Sequence, residues 1–150
     1  MRIVLVEPEI PQNTGSIARL AAATHTPLDL VGPLGFSLSD RYLKRAGLDY
    51  WPLVDLTVYD DWDAYVRVSH PGRRLAFAAK RDRIYTQCDY RSDDRLFFGK
   101  ESVGLGEERL ASFEEHVYSI PIVEPGVRSL NLANAVGIVL YEAYRQLRAW

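Results

Sequence analysis

Ile120-Pro-Ile-Val-Glu-Pro-Gly-Val-Arg-Ser-Leu-Asn-Leu-Ala-Asn-Ala-Val136 carries an apolar strand end into a proline- and glycine-broken loop, and the loop into a long helix. The helix is expected from about Ser129 to Leu147, with Leu132, Val136, Val139, Leu140, Ala143 and Leu147 on one broad stripe. Strand, loop and amphipathic helix in that order make an α/β unit, whose ligand crevice lies at the carboxyl ends of the strands. Arg128, Ser129, Asn131 and Asn134 would line that crevice. Ser129 is also a ready N-cap, and single caps are common. Asparagine is a poor interior helix former. Asn131 and Asn134 stand three apart, so they share a face that points back toward the loop or across to another subunit.

Outward from this junction, apolar runs alternate with helical patterns. Arg2–Val6, Leu28–Val31, Leu53–Tyr59, Arg74–Ala79, Arg95–Phe98 and His116–Ile120 read as strands. The first is a short β-branched run of the kind buried on both faces. Helices are expected from Asn13 (or Thr14 as N-cap) to Thr24, from Arg41 to Ala46, from Trp62 behind Asp60 or Asp61 to Ser69, and from Glu107 to Ser112. The alternation predicts an α/β fold: an open, mostly parallel sheet with helices on both faces, in a single domain spanning residues 1–150.

The bulk numbers bound the function. A chain of 150 residues folds without staples. Cys88 is the only cysteine and there are three histidines, so no zinc-spaced cluster exists and no metal is expected. No leader-like segment or membrane-length apolar run is present, which makes a cytoplasmic protein the default. A net charge of −2 argues against a surface that binds nucleic acid throughout, but it leaves room for local basic faces. Two clusters qualify: Arg41, Lys44 and Arg45, and Lys80, Arg81 and Arg83. On charge alone each reads first as solvated surface with compensating acids.

Three loops follow strand ends: Glu7–Arg19, Gly99–Gly106 and Ile120–Asn134. In one parallel sheet they meet at one edge. Gly99 and Gly104 have the spacing of a phosphate loop, but no Gly-Lys-Ser/Thr completes it, and no Gly-x-Gly-x-x-Gly follows the first strand. The glycines offer close backbone approach for a ligand. Glu101 reads as a ligand contact or as a solvent-facing charge. Arg19, between Ile17 and Leu20, reads as a snorkelling surface arginine or as a guanidinium aimed at a phosphate.

Three stretches together carry a resemblance: Glu7-Pro-Glu-Ile-Pro-Gln-Asn-Thr-Gly-Ser-Ile-Ala-Arg19, Phe98-Gly-Lys-Glu-Ser-Val-Gly-Leu105, and Ile120-Pro-Ile with Arg128-Ser-Leu-Asn-Leu-Ala-Asn-Ala135 and Tyr141-Glu-Ala-Tyr-Arg-Gln146. In order and placement they resemble the three motifs of the SPOUT RNA 2′-O-methyltransferases, above all those acting on the wobble nucleotide of tRNA. The resemblance covers nearly the whole chain. It implies a C-terminal trefoil knot, S-adenosylmethionine as cofactor, and a homodimer. It implies methyl transfer to the ribose 2′-hydroxyl of a wobble cytidine or modified uridine in the anticodon loop. Another RNA such as rRNA, or a non-catalytic nucleotide-binding module, are the alternatives.

The same resemblance distributes the residues. Cofactor contacts fall on Ala78, Gly99, Glu101, Ile120, Ile122, Ser129 and Leu130. Catalytic positions fall on Arg19, Ser129 and Asn131, with Arg19 supplied by either subunit. Substrate contacts fall on Asn13, Arg41, Lys44, Arg45, Arg81 and Arg128, with Arg83 joining the basic surface. An arginine stays protonated in proteins, so Arg19 reads as phosphate clamp and electrostatic stabiliser. Ser16 departs from the family's usual asparagine at that place.

Overall fold

The computed structural model describes residues 1–39, 50–68 and 70–148. Six strands form one sheet: β1 (Arg2–Val6), β2 (Leu28–Val31), β3 (Leu56–Tyr59), β4 (Arg74–Phe77), β5 (Arg95–Phe98) and β6 (Val117–Tyr118). Their order is β3-β2-β1-β5-β4-β6, and every pairing is parallel. The helices are α1 (Pro11–Ala23), α2 (Trp62–Arg67), α3 (Glu107–Ala111) and α4 (Leu132–Leu147). All loops that follow strands therefore emerge at one end of the sheet, as the alternation predicts.

Successive strand residues point to opposite faces, so one sheet serves two cores. Ile3, Leu5, Leu28, Leu30, Leu75, Leu96 and Phe98 pack with Ile17, Ala18 and Ala21 of α1 and with Val136, Val139, Leu140 and Ala143 of α4. Val4, Val6, Val31, Ala76 and Phe97 pack on the other side with Tyr65 of α2 and Leu110 of α3. This double burial is why β1 and β5 read as unbroken apolar runs rather than alternating ones.

Several boundaries move. α1 begins at Pro11, two residues before the expected cap, because proline presets the helical φ and has no amide to leave unpaired. Asn13 and Thr14 thereby fall inside the helix and are buried. Residues Trp51–Leu53 form a 3-10 turn, and the third strand starts only at Leu56. β4 ends at Phe77 and the last strand covers only Val117–Tyr118. Asp61 caps α2 by accepting from the Ala64 amide, and that helix ends at Arg67. The helix expected over 41–46 lies outside the described residues.

The largest shift concerns the opening junction. α4 starts at Leu132, and its N-cap is Asn131, whose side chain accepts from the Ala133 and Asn134 amides. Ser129 is not the cap; it sits exposed in the irregular stretch before the helix. The oddity of two asparagines in the early turns is thus half resolved. One of them is outside the helix, satisfying amides that no intrahelical carbonyl reaches.

Candidate active site

β1 and β5 are neighbours in the sheet, so the loops that leave them lie side by side. Three carboxylates tie these loops together. Glu7 accepts from Lys100 Nζ at 3.0 Å and from the Arg109 guanidinium. Burial acts to raise the Glu7 pKa, but hydrogen bonds from Arg109 and Lys100 outweigh it and hold the carboxyl below its ordinary range. On the other side Glu9 accepts from the Ser102 amide and hydroxyl, each at 2.9 Å. Glu101 returns the contact: its carboxylate accepts from the Glu9 amide at 2.8 Å, the Ile10 amide at 3.2 Å and Asn13 Nδ2 at 2.9 Å.

Ile10 is the N-cap of α1 and has no capping side chain of its own. Glu101, 91 positions away in sequence, stands in for one. A carboxylate there also suits the positive end of the helix dipole. Asn13 extends the chain of contacts, because its Oδ1 accepts from Asn131 Nδ2 at 2.9 Å. One continuous relay therefore runs from the α4 amides through Asn131, Asn13 and Glu101 to the amides that precede α1. It joins all three motif loops. α1 and α4 are pinned again at their far ends, where Tyr144 bonds Thr26 Oγ1 at 2.8 Å and the Thr24 carbonyl at 2.7 Å.

Between those two pins lies an open groove of about 790 Å³, lined by Gln12, Ser16, Leu20, Leu130, Asn134 and Ile138 together with the two relay asparagines. A smaller slot of about 250 Å³ lies at the ends of β4 and β6, lined by Lys80, Arg81, Ile84, Ser119, Ile120, Pro121 and Ile122. The backbone of residue 119 continues past β6 alongside residues 81–85: Ser119 N donates to the Arg83 carbonyl, and Tyr85 N donates to that of Ser119. This extension sets Ile84 opposite Ser119 and Ile120 at the slot.

The expected site residues divide accordingly. Ile120 and Ile122 line the slot, Leu130 lines the groove, and the Ala78 amide is given to the Tyr118 carbonyl beside the slot. Gly99 is explained by its own loop: a Cβ there would lie 2.0 Å from the Gly104 backbone, so the close approach that excludes a side chain is intramolecular. The Glu101 carboxylate is taken up by the first loop, and Asn131 by a cap and by Asn13. Arg81 pairs with Glu107 and edges the slot, so its charge is already matched. Arg83 is likewise paired, with Glu115 at 3.3 Å. Arg128 and Ser129 are exposed beside the relay.

Arg19 does not join the cluster within one chain. It is exposed on α1, with its guanidinium 5.0 Å from the centroid of the Tyr50 ring. Arg41, Lys44 and Arg45 lie outside the described residues. Glu7, Glu9, Lys100, Ser102 and Arg109 were not anticipated. Their one sequence signal is a pair of glutamates flanking Pro8 opposite a glycine-rich loop; the pairing itself spans more than 90 positions. Among the described residues no acidic, histidine or cysteine group is arranged to hold a metal, and no helix is long and apolar enough to cross a membrane.

The chain is similar to known proteins along nearly its whole length. The model of the SpoU rRNA methylase family matches residues 1–141. A tRNA (cytidine(34)-2′-O)-methyltransferase of Escherichia coli K12 is 43% identical over 148 residues, covering 98% of this chain and 94% of the relative. A solved structure described as giving insight into the 2-OH methylation of C/U34 on tRNA superposes with a TM-score of 0.93 at 51% identity, over 99% of this chain and 97% of that one. An AdoMet-bound rRNA methyltransferase from Sinorhizobium meliloti gives 0.83 at 28% identity, over 97% of this chain and 56% of the other.

Proposed function

The chain belongs to the SpoU rRNA methylase family, and from that membership we propose that it methylates the ribose 2′-hydroxyl of the wobble nucleotide of tRNA, using S-adenosylmethionine. The observation that carries this reading is the near full-length likeness to the structure concerned with C/U34 2-OH methylation, with all three motif loops joined by one relay.

The slot fits the cofactor by its chemistry. Ile84, Ile120 and Ile122 offer apolar walls for a flat purine, while Lys80 and Ser119 supply a polar edge. When bound, S-adenosylmethionine supplies a methyl group that its sulfonium charge already makes electrophilic, so no metal is required. Ala78, Ile120 and Ile122 are the residues we assign to holding it at the slot, and Leu130 and the exposed Ser129 to its side toward the groove. Gly99 and Glu101 serve the frame of the loops as well.

The rest of the chemistry is positioning. A well-oriented pair of reactants gains on the order of 7–11 kcal/mol over free collision. Asn131 and Asn13 fix the two helix starts between which the ribose would sit. Arg128 and Arg19 are the cations we assign to the substrate's phosphates, whose contacts set register rather than read sequence. Single-stranded anticodon bases can be splayed into such an open groove.

The groove also supports a homodimer. Ile138 is 38% exposed beside Leu20 of α1, and Tyr141, three residues further along α4, is 50% exposed. A second copy seated there would cover this apolar surface and carry its Arg19 toward the relay, which the same chain's Arg19 does not join. The C-terminal segment is expected to thread the loop of residues 80–90 in a trefoil knot. In support, Ser119 bonds residues 81–85 while Gln146 of α4 accepts from the Tyr90 amide. A cytoplasmic location follows from the tRNA substrate.

The test is direct. Purified protein, labelled S-adenosylmethionine and bulk tRNA should yield a 2′-O-methylated nucleotide at position 34 after nuclease digestion and mass spectrometry. Label found only on a base, or no label in tRNA while rRNA in a parallel reaction is methylated, overturns the reading.

A further inference from the structure

We propose that Glu9 is a positioning residue for methyl transfer, holding the turn at Ser102 so that Glu101 can organise the relay. The proposal rests on the reading of the site given above and extends it to a residue outside the relay itself. Four facts lead to it.

First, the contact is bidentate and specific: Glu9 Oε2 takes the Ser102 amide and Oε1 the Ser102 hydroxyl, each at 2.9 Å. Second, it closes a ring. The Glu9 amide donates to Glu101 Oε2 at 2.8 Å, so adjacent residues of the second loop are gripped by the same residue of the first, one through its backbone and one through its side chain. Third, Glu9 is itself braced from behind. The Gly35 amide donates to the Pro8 carbonyl at 2.9 Å, and a Cβ on Gly35 would lie only 2.7 Å from the Glu9 Cα.

Fourth, the turn carrying Glu101 needs a tether. It is closed at its base, where the Gly104 amide donates to the Lys100 carbonyl at 2.8 Å. Beyond that point Gly104 adopts φ +71°, a conformation other residues rarely adopt, and a Cβ there would meet nothing within 4 Å. Packing does not fix the tip on that side. Val103, next to Ser102, is 68% exposed and makes no anchor either. Lys100 is held by Glu7, but toward α3 and the opposite face of the sheet. On the relay side, the hydrogen bonds to Glu9, Ile10 and Asn13 hold the turn, and Glu9 alone grips Ser102.

The consequence is a distal one. If Ser102 swings away, Glu101 loses its placement, Asn13 loses its acceptor, and Asn131 loses the partner that aligns the start of α4. Glu9 touches neither groove nor slot, so its effect travels through other residues.

The experiment compares Glu9→Ala, Glu9→Gln and Ser102→Ala with the unmodified protein, by steady-state kinetics and by amide hydrogen exchange. Glutamine can still accept from the Ser102 amide and donate to its hydroxyl, so it keeps the tether without the charge. Glu9→Ala is expected to lower kcat by about tenfold or more, as misplacement of reactants does, with KM for cofactor and tRNA changing less than about threefold. Glu9→Gln should restore most of that loss, and Ser102→Ala should show a smaller effect in the same direction. Exchange in Glu9→Ala should quicken at Glu9, Ile10 and Ser102, and also at Ala133 and Asn134, the amides capped by Asn131. Unchanged protection at residues 133 and 134 overturns the proposal whatever the kinetics, as does failure of glutamine to rescue. Should Glu9→Ala not fold, the glutamine and Ser102→Ala variants decide by the same two measures. An unmodified protein that methylates no tRNA would instead defeat the functional reading, while the exchange data still judge Glu9.

Discussion

Asn131 shows how much one side chain can be asked to do. Its Oδ1 caps α4 and its Nδ2 reaches Asn13. The two halves can be separated by substitution. Asn131→Ala loses both: the cap costs about 1 kcal/mol, and the buried Asn13 oxygen left without a donor costs about 1–3 kcal/mol more. Asn131→Asp keeps the acceptor that caps the helix but turns the donor into a second acceptor facing Asn13. Urea unfolding should therefore rank alanine below aspartate in stability, while methylation assays find both strongly impaired. A stable, fully active Asn131→Asp would remove the relay from the mechanism. Gly99 teaches the complementary lesson, since a glycine in a motif loop can be required by the loop's own backbone rather than by a ligand.

At the scale of elements, α4 joins the core, the groove and the loop of residues 80–90. Its last turns carry Glu142, which is held by Arg145 at 2.8 Å and by Gln146 at 2.9 Å. Hydrogen bonding from Arg145 is the main cause that lowers the Glu142 pKa from 4.5 to about 2, with burial opposing it and Gln146 assisting. The sign follows from linkage: a carboxyl depressed in the folded state adds stability that is present above its unfolded value and is lost as protons bind. Stability from Glu142 should thus be whole above about pH 4.5 and fade as pH falls through about 2. The unfolding free energies of the protein and of Glu142→Gln, measured across that range, should differ most near neutrality and converge in acid. Because Gln146 also receives the Tyr90 amide, the substitution should loosen residues 80–90 as well.

For the whole molecule, the decisive question is what covers the groove between α1 and α4. Our reading places a second copy there, with Arg19 acting across the interface. Mixing two inactive variants, Arg19→Ala and Asn131→Ala, under conditions that exchange subunits should then restore part of the activity. A mixed dimer would hold one site with both residues intact. If both act within one chain, no mixture recovers. Sedimentation should find a dimer that Ile138→Asp converts to monomer.

Much of this protein was legible in its sequence. The alternation of apolar runs and helical stripes determined a parallel α/β sheet, because strands buried on both faces are mostly apolar, with a charge such as Asp29 tolerated where Arg2 pairs with it. The order of the three motifs determined the family. Single-residue periodicity also found the α4 stripe, of which Leu132, Val136, Val139, Leu140 and Ala143 are buried. What the sequence could not determine was partnership. Glu9 with Ser102, Glu101 with Ile10, and Asn131 with Asn13 join residues 91 to 118 positions apart, and a carboxylate in a loop looks the same whether it faces solvent, a ligand or a helix start. Only the strand order, which sets β1 beside β5 and brings α4 back over α1, decided which of these polar groups meet. The same return decided that Ser129 is exposed and Asn131 is the cap, because the helix could begin only where the chain had cleared the loop and reached Asn13.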